Sequence, residues 1–309
     1  MNPILQQLKD PHIRRLAWCL FADPMAHISS AAHLDLGEWH DITALEDWLK
    51  KLDQQPKPLH DYILAGNHRL LGSYFERLWQ FFFSYHPQWN LLADHVQIIH
   101  EKQTLGELDL IVRNPEHDIV HIELATKWYL QAPGHTGANT HDWLGPQTKD
   151  RLDLKIKKLK DKQFPFAQHP QVIDHLKTNN LPLPQAQRLV MKGGLFTQLG
   201  EDFTLPSCTP PTIEVFPWCH HQTLGSWTRD SHLYCLLEKH EWLGPAQITE
   251  HSRILTRAQL LEVTYDHFVK GRHPYALMIC DLGSMDLYSH ETQQMEVARI
   301  MVVKDDWPR

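Results

Sequence analysis

Two short runs of the chain carry acidic groups at spacings that suit metal-assisted chemistry. Residues 107–112 read ELDLIV and residues 119–126 read IVHIELAT. Side chains along a strand alternate between its two faces. Glu107, Asp109 and Ile111 then share one face of the first run, and Leu108, Leu110 and Val112 share the other. In the second run Val120, Ile122 and Leu124 make an apolar face, opposite His121, Glu123, Ala125 and Lys127. The apolar faces can pack under helices. The other faces gather three carboxylates, a histidine and a lysine into a small region. Like charges crowded near the centre of a sheet repel unless a counter-charge joins them, and a divalent cation is such a charge. Mg2+ takes oxygen ligands, usually one or two carboxylates, with water and substrate phosphate completing its shell. It would orient an attacking water and stabilise charge on a phosphodiester, while a nearby lysine neutralises the transition state. The plain alternative is a set of solvated acids on an open sheet face.

GELDLI (106–111) followed by HIELATK (121–127) resembles the PD-(D/E)xK, or restriction-endonuclease-like, nuclease superfamily. Many members carry a GE-hydrophobic-D-hydrophobic strand and then a VEVK-like strand. The 14 residues from Asp109 to Glu123 suit a hairpin. The resemblance covers residues 65–200, and the whole chain is also similar to an uncharacterised bacterial family within that superfamily. It implies that Asp109 and Glu123 hold Mg2+ or Mn2+. Glu76 matches the first-helix glutamate of RecB-like and Holliday-resolvase-like members, and would bind or orient a group behind the metal. The implied activity is hydrolysis of phosphodiesters in DNA or RNA, with DNA the first expectation. One position departs from the pattern, which places lysine two residues after Glu123, where this chain has Ala125. Lys127 lies on the correct face and would support the nucleophile, although its Cα is roughly 13 Å from that of Glu123, against roughly 6.6 Å for the usual pair. A bulge at Ala125–Thr126 would bring it closer, or Lys155 of the following helix would supply the charge. The missing lysine also fits a nuclease fold that no longer cleaves and serves as a nucleic-acid or protein binding module. A hydrolase of a smaller phosphoester is a third reading.

These residues need a frame. Leu70, Leu71, Tyr74, Phe75, Leu78, Trp79 and Phe82 recur at helical spacing, which predicts an amphipathic helix over 67–84. Strands are expected at 95–100, 107–112 and 119–126, joined by short turns as an antiparallel meander. A basic helix over 148–163 and a strand over 189–197 complete an α/β core of order αβββαβ. From Lys149 to Lys162 six lysines and one arginine outnumber three aspartates, an excess of +4. Lys149, Arg151, Lys155 and Lys158 are the candidate phosphate-backbone contacts, with a solvated helix face as the structural alternative. Gly193-Gly194 reads as a bulge or close packing rather than a phosphate loop.

The flanking sequence bounds the rest. Residues 1–60 read as a helical segment, 61–200 as the nuclease-like core, and 201–309 as an α+β extension or second domain with strands at 274–281 and 298–303. A net charge of −7 excludes indiscriminate polyanion binding, so contact with nucleic acid requires a local basic patch. Five widely spaced cysteines point to reduced, packed thiols. Cys219-His220-His221 invites a zinc reading with Cys208 or Cys235, but its spacing suits packed side chains better. With no long apolar stretch and no leader-like start, the expectation is a cytoplasmic protein without a membrane span.

Overall fold

A computed structural model describes residues 2–66, 69–101, 103–271, 276–284 and 294–309. The chain is α/β, with a large mixed sheet and several helices. No helix among the described residues is long and apolar enough to cross a membrane.

The helix Leu71–Tyr85 occupies the predicted amphipathic stretch and buries Tyr74, Phe75, Leu78, Trp79 and Phe81 through Phe83. Their rings meet edge-on or stacked, Trp79 with Phe82 at 6.0 Å and with Phe83 at 5.6 Å. Glu76 is left half-buried on this helix. Three strands follow: β1 (Asn90–His100), β2 (Gln103–Arg113) and β3 (Ile119–Gln131). They pair antiparallel as the expected meander. Asn114 shapes the β2–β3 turn, its Oδ1 accepting from the amides of Glu116 at 3.0 Å and Asp118 at 2.8 Å. β1 starts five residues before the predicted position, because pairing of Asn90 with Arg113 extends it through a stretch without alternation.

β4 (Trp143–Leu144) pairs with the end of β3. The basic helix starts at Leu152 instead of residue 148. Residues 145–150 fold into a turn closed by the Gly145 amide on the Asp150 carbonyl at 2.8 Å, with Thr148 at φ 61. After Lys158 the helix widens into a π-helical turn, Leu159–Gln163. A helix over Pro170–Thr178, unmarked in the sequence reading, follows with proline at its start and Val172 and Leu176 buried. β5 (Ala186–Gln198) contains the predicted 189–197 strand.

The remaining strands are β6 (Val215–His220), β7 (Leu233–Leu237), β8 (Gln247–Ile248), β9 (Leu255–Thr256), β10 (Leu277–Asp281), β11 (Gln294–Met295) and β12 (Ala298–Val303). Residues 274 and 275 of the predicted 274–281 strand lie outside the described residues.

Compactness divides the chain into residues 1–127, 154–193 and 208–210 as one unit, and 128–153, 194–207 and 211–309 as the other. This cuts across the three consecutive segments suggested by the sequence, since strands pair with neighbours in space and not along the chain. In the first unit the strand order is β1-β2-β3-β5, and the helices of residues 4–85 belong to the same unit. In the second the order is β5-β6-β12-β10-β7-β9, parallel at β5–β6 and β6–β12 and antiparallel beyond, while β8 and β11 form a separate pair.

Gly193 shows why close packing is the right reading of the glycine pair. Its φ is +152, and a Cβ there would sit 1.6 Å from the Lys127 carbonyl oxygen and 2.4 Å from Met25 Cε. Gly193→Ala should lower stability by about 1–3 kcal/mol or more, as overpacked sites do. Urea unfolding checks this, and an unchanged midpoint would contradict the close approach of β5 to β3.

Candidate metal and phosphate site

The acids of the two motif strands meet where β2 and β3 part. Their ladder runs from Arg113↔Ile119 to Leu110↔Ile122, and one further step of that register sets Asp109 opposite Glu123. There the Asp109 side chain takes over from the ladder, Oδ2 accepting the Leu124 amide at 2.8 Å. Gly106, at the start of the motif, lets the Phe166 ring approach: a Cβ at residue 106 would lie 2.7 Å from it.

On the other side of β2, the pairs Asp94↔Leu110 and Val96↔Leu108 bracket His95 and set it opposite Asp109. His95 has φ 47, a left-handed conformation rare within strands. Its Nδ1 lies 2.8 Å from Glu107 Oε1, and its Nε2 lies 3.7 Å from Glu76 Oε2. The ring thus links the helix glutamate to β2. Burial works against its protonation, but the hydrogen bond to Glu107 and the charges of Glu76, Glu107 and Asp94 prevail and raise its pKa.

Glu123 is 1% exposed. Gln163, the last residue of the π-helical turn, donates through Nε2 to Glu123 Oε1. Lys155 Nζ donates to Gln163 Oε1 at 3.0 Å, completing a lysine–glutamine–glutamate chain. His121 Nε2 lies 3.9 Å from Glu123 Oε2, and neither ring nitrogen has a hydrogen-bond partner among the described residues. Burial lowers the His121 pKa to about 4, so the ring is neutral.

Burial, and next the charge of Asp109, push the Glu123 carboxyl up to about 8 against the pull of Lys155, Lys158 and Gln163. Burial also raises Asp109, opposed by the Leu124 amide; Glu107 adds to the rise, while Lys155 and His95 oppose it. Glu76 is raised by burial and then by Asp109. Lys155 is lowered by burial despite the two acids beside it. The cluster therefore favours an added cation. Asp109 Oδ1 and Glu123 Oε2 accept no hydrogen bond among the described residues, which leaves one oxygen on each acid for an ion. Among those residues no group of three or more His, Cys, Asp or Glu side chains is placed to hold a metal ion. A pair of acid oxygens suits Mg2+ or Mn2+, which retain water and substrate oxygens in their shells.

Glu76, Asp109 and Glu123 thus fall in one electrostatic cluster. Lys155 and Lys158 are the cations felt by Glu123, whereas Lys127 is felt by Lys155. Lys158 is exposed. Lys149 and Arg151 belong to the second unit, where Arg151 grips Asp153 through Nε at 2.6 Å and Nη2 at 2.9 Å. Ala125 is buried. His95 and Gln163 escaped the sequence reading. Nothing local distinguishes His95 among 23 histidines, and Gln163 reaches the site through a π-helical turn that has no sequence signature. In the zinc-like triplet, Cys219 is buried with its thiol pushed up to about 12, and His220 Nε2 meets the Trp307 carbonyl at 3.0 Å.

A raised carboxyl makes the folded state bind more protons than the unfolded state between its ordinary pKa and its folded one. Stability from Glu123 is complete below about 4.5 and is lost as pH rises through about 8. Metal-free protein should therefore lose stability as pH rises toward 8, and the slope above pH ~7 lies past the ordinary histidine pKa of about 6.5. Asp109→Asn should flatten that slope by removing the repelling charge. Urea unfolding across the window checks this; equal slopes in both proteins would contradict the coupling.

No curated protein and no solved structure matches the chain. A family model described as a domain of unknown function (DUF1853) matches residues 14–303, a span that includes every residue of the acid cluster and nearly all of both compact units. The chain belongs to the DUF1853 family.

Proposed function

We propose that the Asp109–Glu123 cluster is the centre of a metal-dependent phosphodiesterase acting on nucleic acid, DNA rather than RNA. The observation that carries this reading is the pair of repelling acids set side by side on β2 and β3, each with an oxygen that accepts no hydrogen bond among the described residues. The element order supports a restriction-endonuclease-like core: helix Leu71–Tyr85, β1, β2, β3, helix Leu152–Lys158, β5. The resemblance of GELDLI and HIELATK to PD-(D/E)xK strands points the same way.

In this reading Asp109 and Glu123 hold Mg2+ or Mn2+. The bound ion would lower the pKa of a water and stabilise charge on the scissile phosphate. Gln163 fixes the Glu123 carboxylate, and Lys155 places its ammonium behind it. Lys155 thereby supplies the positive charge that Ala125 cannot, with Lys127 as its neighbour. The His95 bridge holds Glu76 and Glu107 together beside Asp109. Exposed Lys158 meets the phosphate backbone, where a charge neutralised adds affinity that salt weakens. Ala125 favours one other reading, a fold that binds nucleic acid without cutting it.

Cleavage of labelled single- and double-stranded DNA and of RNA, with Mg2+, Mn2+ or EDTA, tests the proposal. Metal-dependent cutting is expected, lost in Glu123→Gln. Removing one charge that stabilises the transition state typically costs about 10²–10³ in kcat, so Lys155→Ala should fall by that order and Lys127→Ala by less. No cleavage with either metal, alongside salt-sensitive binding that weakens in Lys158→Ala, would replace the nuclease with the binding module.

A further inference from the structure

Away from the acid cluster, the second unit holds two cysteines that face each other. Cys235 on β7 and Cys280 on β10 are direct partners in the antiparallel register. Both are fully buried. Residues directly opposite in such a pair have Cα atoms about 4.5–5.5 Å apart, within the roughly 4.4–6.8 Å that a disulfide spans. The Cα spacing of the register therefore falls within the range a disulfide spans.

We infer that Cys235 and Cys280 are a dithiol oxidation site that closes to a disulfide on reaction with a small hydroperoxide. The surroundings assign the two roles. The Cys280 thiol hydrogen-bonds to Cys235 and Arg253 stands beside it; together they overcome burial and lower the Cys235 pKa, while that of Cys280 is raised by the same bond and by burial. Arg253 is fixed by Glu241, with Nη1 at 2.9 Å and Nη2 at 2.6 Å, and by the Leu236 carbonyl at 3.1 Å. Behind Cys280, the buried Arg299 pairs with Glu296. Cys19, Cys208 and Cys219 have no such arrangement, and burial raises all three.

The Cys235 thiolate attacks one peroxide oxygen. The O–O bond breaks, leaving a sulfenic acid and a hydroxide that takes up a proton as water. Cys280 sulfur then displaces the sulfenic oxygen, its proton leaving in a second water. The thiols lose two electrons and the peroxide gains two. With both thiols buried, only a small oxidant such as hydrogen peroxide, reaching them through local opening, fits this step, and a bulky disulfide such as oxidised glutathione does not.

The test treats the folded full chain with hydrogen peroxide, alkylates free thiols after denaturation, and maps peptides by mass spectrometry. A Cys235–Cys280 cross-link is expected, with Cys19 and Cys219 still reduced, a raised melting temperature and reversal by dithiothreitol. Cys280→Ser should stop at a sulfenic acid on Cys235 that dimedone traps; Cys235→Ser should leave Cys280 reduced. Oxidised glutathione should give no cross-link. Free thiols at both positions after peroxide, oxidation confined to Cys208, or equal oxidation of Cys280 in Cys235→Ser would overturn the inference. If the serine variants fail to fold, peptide mapping of wild type alone decides it.

Discussion

Repulsion between two buried carboxylates, Asp109 and Glu123, is the constraint around which the first unit is arranged. Burial first, and then the charge of Asp109 that no water screens, push the Glu123 carboxyl up to about 8. Several local irregularities serve these two groups. β2 and β3 part at Asp109, whose side chain takes the Leu124 amide in place of a ladder bond. β1 turns His95 into a left-handed conformation opposite Asp109. The basic helix widens into a π-helical turn that ends on Gln163, which reaches Glu123. Each departure from regular structure costs stability, and each brings a donor or a cation toward the acids.

Lys155 is the ammonium that the helix brings toward Glu123 through Gln163. Ala125 gives the β3 face no ammonium beside Glu123. The helix after the meander brings Lys155 to Gln163, which in turn donates to Glu123. Burial lowers this lysine's pKa, and the two acids beside it pull the other way. The acids and the lysine therefore form one mutually dependent group.

The strand faces were legible in the sequence because alternation is a local property: Leu110, Ile122 and their neighbours fill the core as the pattern predicts. The first helix was legible from its 3.6-residue spacing. Its glutamate, like the acid pair, was singled out by resemblance as well as chemistry. Less local features were hidden. Flanking prolines disguised the helix Pro170–Thr178, although Val172 and Leu176 carry its apolar face. That Lys155 reaches Gln163 depends on where a helix lies over a sheet, and no spacing in the sequence encodes that. His95 depended on a backbone conformation, and the two-unit division on which strands pair across the chain.

The central claim is that Asp109 and Glu123 bind a divalent ion. Calorimetric titration of the intact chain with Mn2+ and Mg2+ tests it most directly, with Asp109→Asn and Glu123→Gln run beside the wild type. The account predicts saturable binding by the wild type that is lost in both variants, while both remain folded. No binding by the wild type, or binding unchanged by either substitution, would contradict it.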